Sequence, residues 1–580
     1  MHKKAVLVIL LVGILAYANS LSNGFVGDDD VIIVHNTFYK SWGNLKRLVQ
    51  KDYTTDSYKA HYGLQRDFGS GSVAYRPVLS LTYFLDYAQW KENPFGYHLR
   101  NFFLHIFNAC LLYLIVFHIL KSREIALFGS LLFLVHPIQS EAVCNIGYRA
   151  DALSAFFAML SILCFVKYRD FGKWRRGILY GGSLLFFALG IFTKESVVIL
   201  PAMMLAYDVY SRETYRLTMM ASWVRKHIWF FMIIAAYLFL YLKIFPNNAL
   251  LYANWQGDTA LIHATIMARV FSGYLTAVFF PWAINILPAG HIPDIHPLGR
   301  WENMAAFFAV AAIIFIAVRM FWKERQLRFF IGWFIIAYIP VSNIISLVSP
   351  IAYRFMYFPS AGVFVALAFL IQRLFAKRFA ATPHLDLQKM IKFTVIAYCL
   401  LTVISFNGLW KSTYTVTHEL IKNYPKNMIG YRALGVEYLR QGLYPQAKEV
   451  LSRAVIVNPH DAEIQYLLGT CYEDDFDKAA GHFHKAIELV PDFVSPYFGL
   501  SWIYISKGQH DKALPYLEKG LQLAPHVIEA YKDLIMSYMA VGRRDDARKA
   551  YEKAKLYTQD EKFLQSLWAS IESARFVGNN

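Results

Sequence analysis

The chain contains few charged residues and few cysteines. Only 17% of its 580 residues are Asp, Glu, Lys or Arg, whereas soluble domains usually carry about a quarter. Its five cysteines show no spacing typical of a zinc site or a disulfide framework (Cys110, Cys144, Cys164, Cys399 and Cys471). The sequence also contains no Asn-x-Ser/Thr sequon. These absences argue against a soluble or disulfide-stabilised protein, and the last mildly favours a bacterial envelope over the endoplasmic reticulum.

Long apolar runs are present instead, since 56% of the residues are hydrophobic. Runs of about 17–25 apolar residues can cross a bilayer as helices. They predict eleven spans, near 4–20, 99–120, 124–142, 150–168, 177–193, 196–210, 227–245, 302–320, 329–347, 355–375 and 390–410. The first is interpreted as a retained span rather than a cleaved signal peptide. Residues 264–284 are predicted to re-enter the membrane or to lie in its interface.

Lys and Arg in short loops set the orientation of the spans. The basic start "HKK" and the loops at 121–124, 167–177, 211–226, 319–328 and 372–379 are assigned to the cytoplasm. The chain then begins inside and ends outside, and the loop after the first span is external. Residues 428–560 carry 16 Lys or Arg against 18 Asp or Glu, so the net charge of +17 belongs to the membrane part. This charge reflects topology and anionic lipid headgroups, not a nucleic-acid partner.

A repeat begins after residue 410, where the apolar runs stop. Pro459, Pro491 and Pro525 end three units at spacings of 32 and 34 residues, and 34 is the period of the tetratricopeptide repeat. We predict about four repeats and a capping helix, which form an α-solenoid with a concave groove. The groove is expected either to bind peptides or to serve as a dimerisation or scaffolding surface.

Asp28, Asp29 and Asp30 follow the first span in "NGFVGDDDVIIVHN". Neighbouring acids and partial burial raise a carboxyl pKa, which helps a general base to work near neutral pH. A base just outside the bilayer suits a reaction between a membrane lipid and a water-soluble acceptor. The alternative is a solvated acidic turn. A strand-like stretch would point Asp30 away from Asp29.

Further polar residues are predicted at the same external face. His98, Asn101 and His105 lie at i, i+3 and i+7 of one span and are expected to face the bundle interior. The external loops contribute Arg76, His136, Glu141, Arg149, Asp151, Lys194, Glu195 and Arg354. Each alone is more simply explained as an interfacial anchor or a structural ion pair. Together they form a mixed cluster of acids and cations that suits binding of a phosphorylated lipid.

Six stretches, followed by the repeats, carry a resemblance to a known family. They are "NGFVGDDDVIIVHN", "YRPVLSLTYFLD", "GYHLRNFFLHIFNA", "LFLVHPIQSEAVCNIGYRADALS", "FTKESVVILPAMMLAYD" and "YRFMYFPSAG". In this order they resemble the transmembrane-and-TPR O-mannosyltransferases and their bacterial relatives. The resemblance implies the GT-C glycosyltransferase fold, polyprenyl-phosphate sugar donors and a diacidic motif in the first external loop, matched here by Asp28 and Asp29. Gly27 stands where an aromatic residue is expected, and the repeats are fewer than in animal members.

The resemblance and the chemistry together suggest residue roles. Asp28 or Asp29 is the general base for the acceptor hydroxyl, and a single displacement inverts the anomeric carbon. Arg149 is the first candidate for holding the lipid phosphate, with Arg76, Lys194 and Arg354 next. Acceptor-orienting or supporting roles are assigned to His98, Asn101, His105, His136, Glu141, Asp151 and Glu195. A divalent metal is left open, because fixed cations could make it unnecessary.

The sequence therefore predicts an all-α protein. Residues 1–410 form a GT-C-type catalytic domain of about eleven spans with an external loop at 21–98, residues 411–427 a linker, and residues 428–580 the repeat domain. The predicted function is external transfer of a mannose-like sugar from a polyprenyl phosphate to a protein or glycan hydroxyl. Alternatives are an oligosaccharide ligase or polymerase, a transporter or flippase with a repeat adaptor, and a non-catalytic scaffold. The predicted location is a bacterial inner membrane with periplasmic repeats, or the endoplasmic reticulum membrane with luminal repeats.

Overall fold

Helices make up all the regular structure in the part of the chain that the structure describes. The computed structural model describes residues 2–49, 75–211, 220–244, 260–285, 324–344, 351–378, 385–558 and 561–573, together with 312 and 319. Every regular element in these ranges is helical, so the all-α prediction is confirmed. The described residues up to Glu419 form one compact unit, and those from Leu420 form a second.

The first unit is a bundle of apolar helices, and its last helix leads into the second unit. In chain order the helices are α1 (His2–Tyr17), α2 (Pro77–Trp90), α3 (Pro94–Leu120), α4 (Arg123–Val135), α5 (Ser140–Cys144), α6 (Arg149–Lys167), α7 (Lys173–Ile191), α8 (Leu200–Ser211), α9 (Met220–Ile244), α10 (Ala260–Phe279), α11 (Arg325–Tyr338), α12 (Tyr357–Arg378), α13 (Leu385–Asn407) and α14 (Thr413–Asn423). Their buried faces form one continuous hydrophobic core.

Six helical stretches of the described residues are long and apolar enough to cross a membrane. They are His2–Ser22, Pro94–Leu120, Arg149–Asp170, Lys226–Ile244, Tyr353–Phe375 and Leu387–Lys411, and the bent pair α4–α5 would make a seventh. The predicted count of eleven stays a prediction. The predicted spans at 177–193 and 196–210 overlap α7 and the shorter α8, and most of 302–320 lies outside the described residues. The segment 264–284 lies on α10 and the turn that follows it, and its re-entrant placement also stays a prediction.

Short polar residues and proline set where the membrane helices begin and break. Asn93 and Ser122 cap α3 and α4, because their side chains accept the N–H groups of Phe95 (3.1 Å) and Ile125 (3.4 Å). The helix does not continue through Pro137, and the chain bends by 54° between α4 and the next helical segment. The bend brings the short helix α5 into the site described below.

The second unit is a stack of helix pairs with a regular internal pattern. Its helices are α15 (Met428–Arg440), α16 (Tyr444–Val457), α17 (Ala462–Thr470), α18 (Phe476–Leu489), α19 (Val494–Ser506), α20 (His510–Leu523), α21 (Ile528–Ala540), α22 (Arg544–Ala554) and α23 (Glu561–Ser573). Gly435 allows close packing of the first pair, because a Cβ there would lie 2.5 Å from Leu451.

One hydrogen bond recurs in three of the repeats. A tyrosine hydroxyl donates to the carbonyl of the proline six residues earlier, in the pairs Tyr431–Pro425 (3.1 Å), Tyr497–Pro491 (2.8 Å) and Tyr531–Pro525 (3.2 Å). In the shortened second repeat, Gln465 Nε2 donates to the Pro459 carbonyl instead (3.2 Å). The bond ties the start of each helix pair to the end of the preceding unit, which explains why these residues recur at the repeat period.

Candidate functional site

The loop after α1 is held against the residues that begin α14. The Gly24 N–H donates to the Lys411 carbonyl (2.9 Å), and the Gly27 N–H donates to Thr413 Oγ1 (3.0 Å). Gly27 has a φ of 57°, in the left-handed region that favours glycine. This conformation explains why glycine stands where the resemblance implies an aromatic residue.

The three aspartates of the loop differ in exposure. Asp29 is fully buried, whereas Asp28 and Asp30 are partly exposed. Asp29 Oδ2 accepts the Val26 N–H (3.0 Å), and Oδ1 accepts the Gly147 N–H (2.6 Å). The carboxylate thereby joins the loop to the turn between α5 and α6. Asp30 begins a π-helical turn, so the expectation of a strand-like stretch is wrong.

Asp29 titrates near neutral pH in this environment. Burial raises the pKa of its carboxyl to about 7, the N–H donors of Val26 and Gly147 oppose the rise, and the Asp28 charge adds to it. Aspartates in an unfolded chain titrate near pH 4. The folded state therefore holds this proton more tightly, and the stability it contributes is complete below about pH 4 and lost as the pH rises through about 7.

Arg149 and Asp86 form a buried ion pair behind the turn. Both side chains are fully buried, and Arg149 Nη1 donates to Asp86 Oδ2. Arg149 Nε also donates to Asn101 Oδ1 (2.5 Å), and Nη2 donates to the Tyr97 carbonyl (3.1 Å). The guanidinium is thus directed at protein acceptors in the interior. Direct contact of Arg149 with a phosphate stays a prediction, and this geometry favours a positioning role instead.

The other three predicted cations each pair with a predicted acid. The pairs are Arg354–Glu141, Lys194 Nζ–Asp151 Oδ1 (2.5 Å) and Arg76 Nη2–Glu195 Oε1 (2.7 Å). Burial alone would raise the pKa of Glu195, but Arg76 and Lys194 lower it to about 2, so this carboxylate is ionised. Burial lowers the pKa of Lys194, and the neighbouring Asp151 opposes that effect. The Arg354–Glu141 and Lys194–Asp151 pairs are largely buried, whereas the Glu195 side chain is 53% exposed.

Two aromatic residues connect the acidic loop with the cations. The Arg354 guanidinium lies 3.9 Å from the centre of the Tyr148 ring, and the Tyr148 hydroxyl also interacts with the charge of Asp28. The Phe355 ring centre lies 5.5 Å from Lys194 Nζ and 5.1 Å from the Arg354 guanidinium carbon. The loop acids, Tyr148 and the cation pairs therefore form one continuous site.

A small cleft of about 20 Å³, partly open to solvent, adjoins the site. Its polar lining includes Asp151 and Ser196, and its apolar walls are formed by Ala155, Ala158, Val197, Ala337, Val341, Phe355, Phe358 and Pro359. Lys194, the partner of Asp151, lies beside the same end. The cleft combines apolar walls with one ion pair at its end, and its volume is enough for about one water molecule.

The predicted polar face of α3 is directed inward. His98, Asn101 and His105 are each exposed by 1% or less, as expected for polar groups in a span. His98 Nε2 lies 3.2 Å from the Gly24 carbonyl, and Asn101 contacts Arg149, so these two residues belong to the site. His105 and His136 do not, because they hydrogen-bond to groups of α12 and α10 in the bundle.

Sequence analysis missed Asp86, Tyr83 and Tyr148. An acid on the mostly apolar helix α2 was an available signal for Asp86, because a buried charge requires a partner. Nothing distinguished the two tyrosines from the other 36 in the chain, which has 38 in all. Among the described residues, no group of three or more His, Cys, Asp or Glu side chains is arranged to hold a metal ion, and a divalent metal stays a hypothesis.

Replacing Gly147 with alanine is expected to raise the pKa of Asp29 above about 7. The added Cβ would lie 3.1 Å from Asp29 Oδ1 and 3.3 Å from Asn145 Oδ1. This crowding is expected to lengthen the hydrogen bond from the Gly147 N–H, which stabilises the Asp29 carboxylate. Infrared titration of the protonated carboxyl band, assigned with Asp29→Asn, measures the shift. Gly181→Ala is the matched control, since its Cβ would meet nothing within 4 Å. Equal titration curves for both variants would contradict the close contact.

The helices and the site define a multi-span membrane protein with C-terminal tetratricopeptide repeats. Family models of the tetratricopeptide repeat match residues 432–475, 472–527 and 504–571. Among solved structures, a crystal structure of MamA is 31% identical and covers 24% of this chain and 84% of its own, with a TM-score of 0.23.

Curated relatives match both parts of the chain. A Caenorhabditis elegans protein named protein O-mannosyl-transferase F38B6.6 is 23% identical over 78% of this chain and 62% of its own length. The Mus musculus protein O-mannosyl-transferase TMTC3 is 23% identical over 84% of this chain and 55% of its own. The Homo sapiens TMTC1 is 30% identical over 34% of this chain. The resemblance predicted from the motifs is thus confirmed, and the chain spans 62% and 55% of the first two relatives.

Proposed function

We propose that this protein is a membrane glycosyltransferase that moves a mannose-like sugar from a polyprenyl phosphate to a hydroxyl group of a protein. Two kinds of evidence support the proposal. The curated relatives are named protein O-mannosyl-transferases. The single observation that carries it is the arrangement of the loop, in which a buried Asp29 anchors a partly exposed Asp28. The charge of Asp28 acts on Tyr148, and the Tyr148 ring lies against Arg354.

Asp28 is the proposed general base because it is the acid that an acceptor can reach. Asp29 has both carboxylate oxygens bonded to backbone N–H groups and is fully buried. In the proposed step the acceptor hydroxyl gives its proton to Asp28, and its oxygen bonds to the anomeric carbon. The bond from that carbon to the phosphate oxygen breaks, and the lipid phosphate leaves with the electron pair. One such displacement inverts the anomeric configuration.

Lys194 and Arg354 are the proposed phosphate residues, with Arg76 as the outer cation. The first two flank Phe355 at 5.5 and 5.1 Å, and Phe355 lines the apolar cleft. A phosphate between them would place the start of its isoprenoid chain against the apolar residues around Phe355. Fixed cations at this position stabilise the charge that grows on the leaving phosphate. Arg149 is proposed to support the turn between α5 and α6 from the protein interior and not to contact the donor.

The repeats are the proposed holding surface for the protein acceptor. The charge distribution in the loops assigns them to the external side of the membrane, where the acidic loop is also assigned. In a bacterium this side is the periplasm, and in a eukaryote it is the lumen of the endoplasmic reticulum. A peptide in the repeat groove would be tethered near the membrane, which raises its effective concentration at the site.

The decisive experiment supplies purified protein with radiolabelled polyprenyl-phosphate mannose. Consumption of the donor and release of polyprenyl phosphate are expected, with label appearing on a protein acceptor. Movement of intact labelled lipid across a vesicle membrane without cleavage would instead support a flippase. Label joined to a lipid-linked glycan would support an oligosaccharide ligase.

Replacing Arg354 with alanine is expected to weaken donor binding by about ten- to a hundredfold. Hydrogen bonds to charged groups contribute about 1.5–3 kcal/mol, and the variant loses a cation beside the proposed phosphate position. Equilibrium binding of polyprenyl-phosphate mannose in detergent measures the effect. Arg169→Ala is the matched control, because Arg169 also pairs with a carboxylate, that of Asp208, on the side assigned to the cytoplasm. Equal affinity in the two variants would remove Arg354 from the phosphate site.

A further inference from the structure

A single peptide unit joins Tyr83 to Asp29. The Tyr83 hydroxyl donates to the Ile146 carbonyl (3.1 Å). The same peptide continues as the N–H of Gly147, which donates to Asp29 Oδ1 (2.6 Å). Tyr83 and Asp29 are both buried, at 2% and 0% exposure. The two side chains therefore bind opposite ends of one backbone group in the interior.

The planarity of the peptide makes this connection stiff. The carbonyl oxygen and the amide hydrogen of a trans peptide point in opposite directions in one plane. A donor that fixes the direction of the Ile146 carbonyl therefore also fixes the direction of the Gly147 N–H. Hydrogen bonds in such a chain polarise one another, so the phenol also strengthens the N–H as a donor.

Tyr83 is itself held firmly on the far side. The Arg149 guanidinium lies 5.1 Å from the centre of the Tyr83 ring, and Arg149 is fixed by Asp86 and Asn101. Asn101 Nδ2 in turn donates to the Val143 carbonyl (3.2 Å). The ion pair thus braces both the tyrosine and the turn that the tyrosine orients. Its hydrogen bonds to Asp86, Asn101 and the Tyr97 carbonyl give this buried arginine a structural role.

We propose that Tyr83 is a positioning residue that sets the orientation and the proton affinity of Asp29 through the Ile146–Gly147 peptide. Its effect on catalysis rests on the proposed function, since Asp29 holds the loop that carries Asp28. Its effect on the orientation and pKa of Asp29 does not depend on that function. The Tyr83 proposal and the transferase proposal can therefore be tested separately.

The test compares two changes of opposite sign at Tyr83. Tyr83→Phe removes the hydroxyl donor to the Ile146 carbonyl and weakens the hydrogen bond from the Gly147 N–H to the Asp29 carboxylate. It is expected to raise the pKa of Asp29 by a few tenths of a unit up to about one unit. Site-specific 3-fluorotyrosine at position 83 is a stronger donor of nearly the same size and is expected to lower it. Infrared titration of the full-length protein, with the Asp29 band assigned by Asp29→Asn, gives both shifts.

Tyr180→Phe is the matched control, because the Tyr180 hydroxyl also donates to a backbone carbonyl, that of Lys226. No shift of the Asp29 band is expected there. A Tyr83→Phe protein that titrates like the parent, or fluorotyrosine and phenylalanine shifts of the same sign, would overturn the proposal. A parent protein that consumes no polyprenyl-phosphate mannose would refute the proposed function but would leave the Tyr83 result standing.

Discussion

Replacing Asp28 with asparagine is expected to lower sugar transfer by about a hundred- to ten-thousand-fold. The amide keeps the size of the side chain but cannot take the acceptor proton, and general-base catalysis contributes about that factor. Asparagine serves in turns about as well as aspartate, so a correctly inserted, folded protein is expected. Turnover of polyprenyl-phosphate mannose by purified protein measures the loss, and donor affinity is expected to stay unchanged.

Asp30→Asn is the matched control for this experiment. The residues from Asp28 onward are helical, and successive helical residues turn by about 100°. Asp30 therefore points roughly opposite to Asp28, and its amide is expected to keep most of the activity. If Asp28→Asn is as active as Asp30→Asn, Asp28 is only a residue of the turn and another group removes the proton.

Asp29→Asn distinguishes the role of the buried Asp29 from that of the partly exposed Asp28. One amide oxygen can still accept the Gly147 N–H, but the amide nitrogen then meets the Val26 N–H, a second donor. We expect a less ordered loop and partial loss of transfer. The fall of stability between about pH 4 and pH 7, which follows from the raised pKa of Asp29, is expected to disappear in this variant. Thermal unfolding across that pH range in detergent measures it.

The elements that sequence analysis predicted well depend on local patterns. The tetratricopeptide units follow from the spacing of proline, glycine and tyrosine, and each of these residues makes a short-range contact, as the Tyr431–Pro425 hydrogen bond illustrates. The inward face of α3 follows from the spacing of His98, Asn101 and His105. Such periodicities can be recognised from the sequence alone.

The role of Arg149 could not be predicted in the same way. Its counter-ion Asp86 lies 63 residues away in the chain, and the Tyr83 donor to Ile146 is equally distant. A lone arginine next to a predicted external loop gives no sign of which acid it meets. The same limit applies to the pairing of Arg354 with Glu141 across 213 residues. Local composition predicted the presence of charges at this face but not their partners.

Replacing Arg149 with alanine is expected to destabilise the fold by about 3–5 kcal/mol. This is the usual effect of removing one member of a buried ion pair, because the other charge is left in the interior. Asp86 would keep its pair with Arg100, which is partly exposed. Chemical unfolding of the purified protein in mixed micelles measures the loss. Where enough folded protein survives, its affinity for polyprenyl-phosphate mannose is expected to be close to that of the parent.

A double-mutant cycle distinguishes this role from direct donor binding. Arg149→Met combined with Asp86→Leu removes both charges and leaves no buried ion without a partner, so much of the lost stability is expected to return. If Arg149 instead held the phosphate, the double variant would be stable and yet bind the donor about ten- to a hundredfold more weakly. A stable double variant with parental donor affinity therefore assigns Arg149 to the support of the turn between α5 and α6. Weak donor binding in that same protein would return Arg149 to the phosphate site.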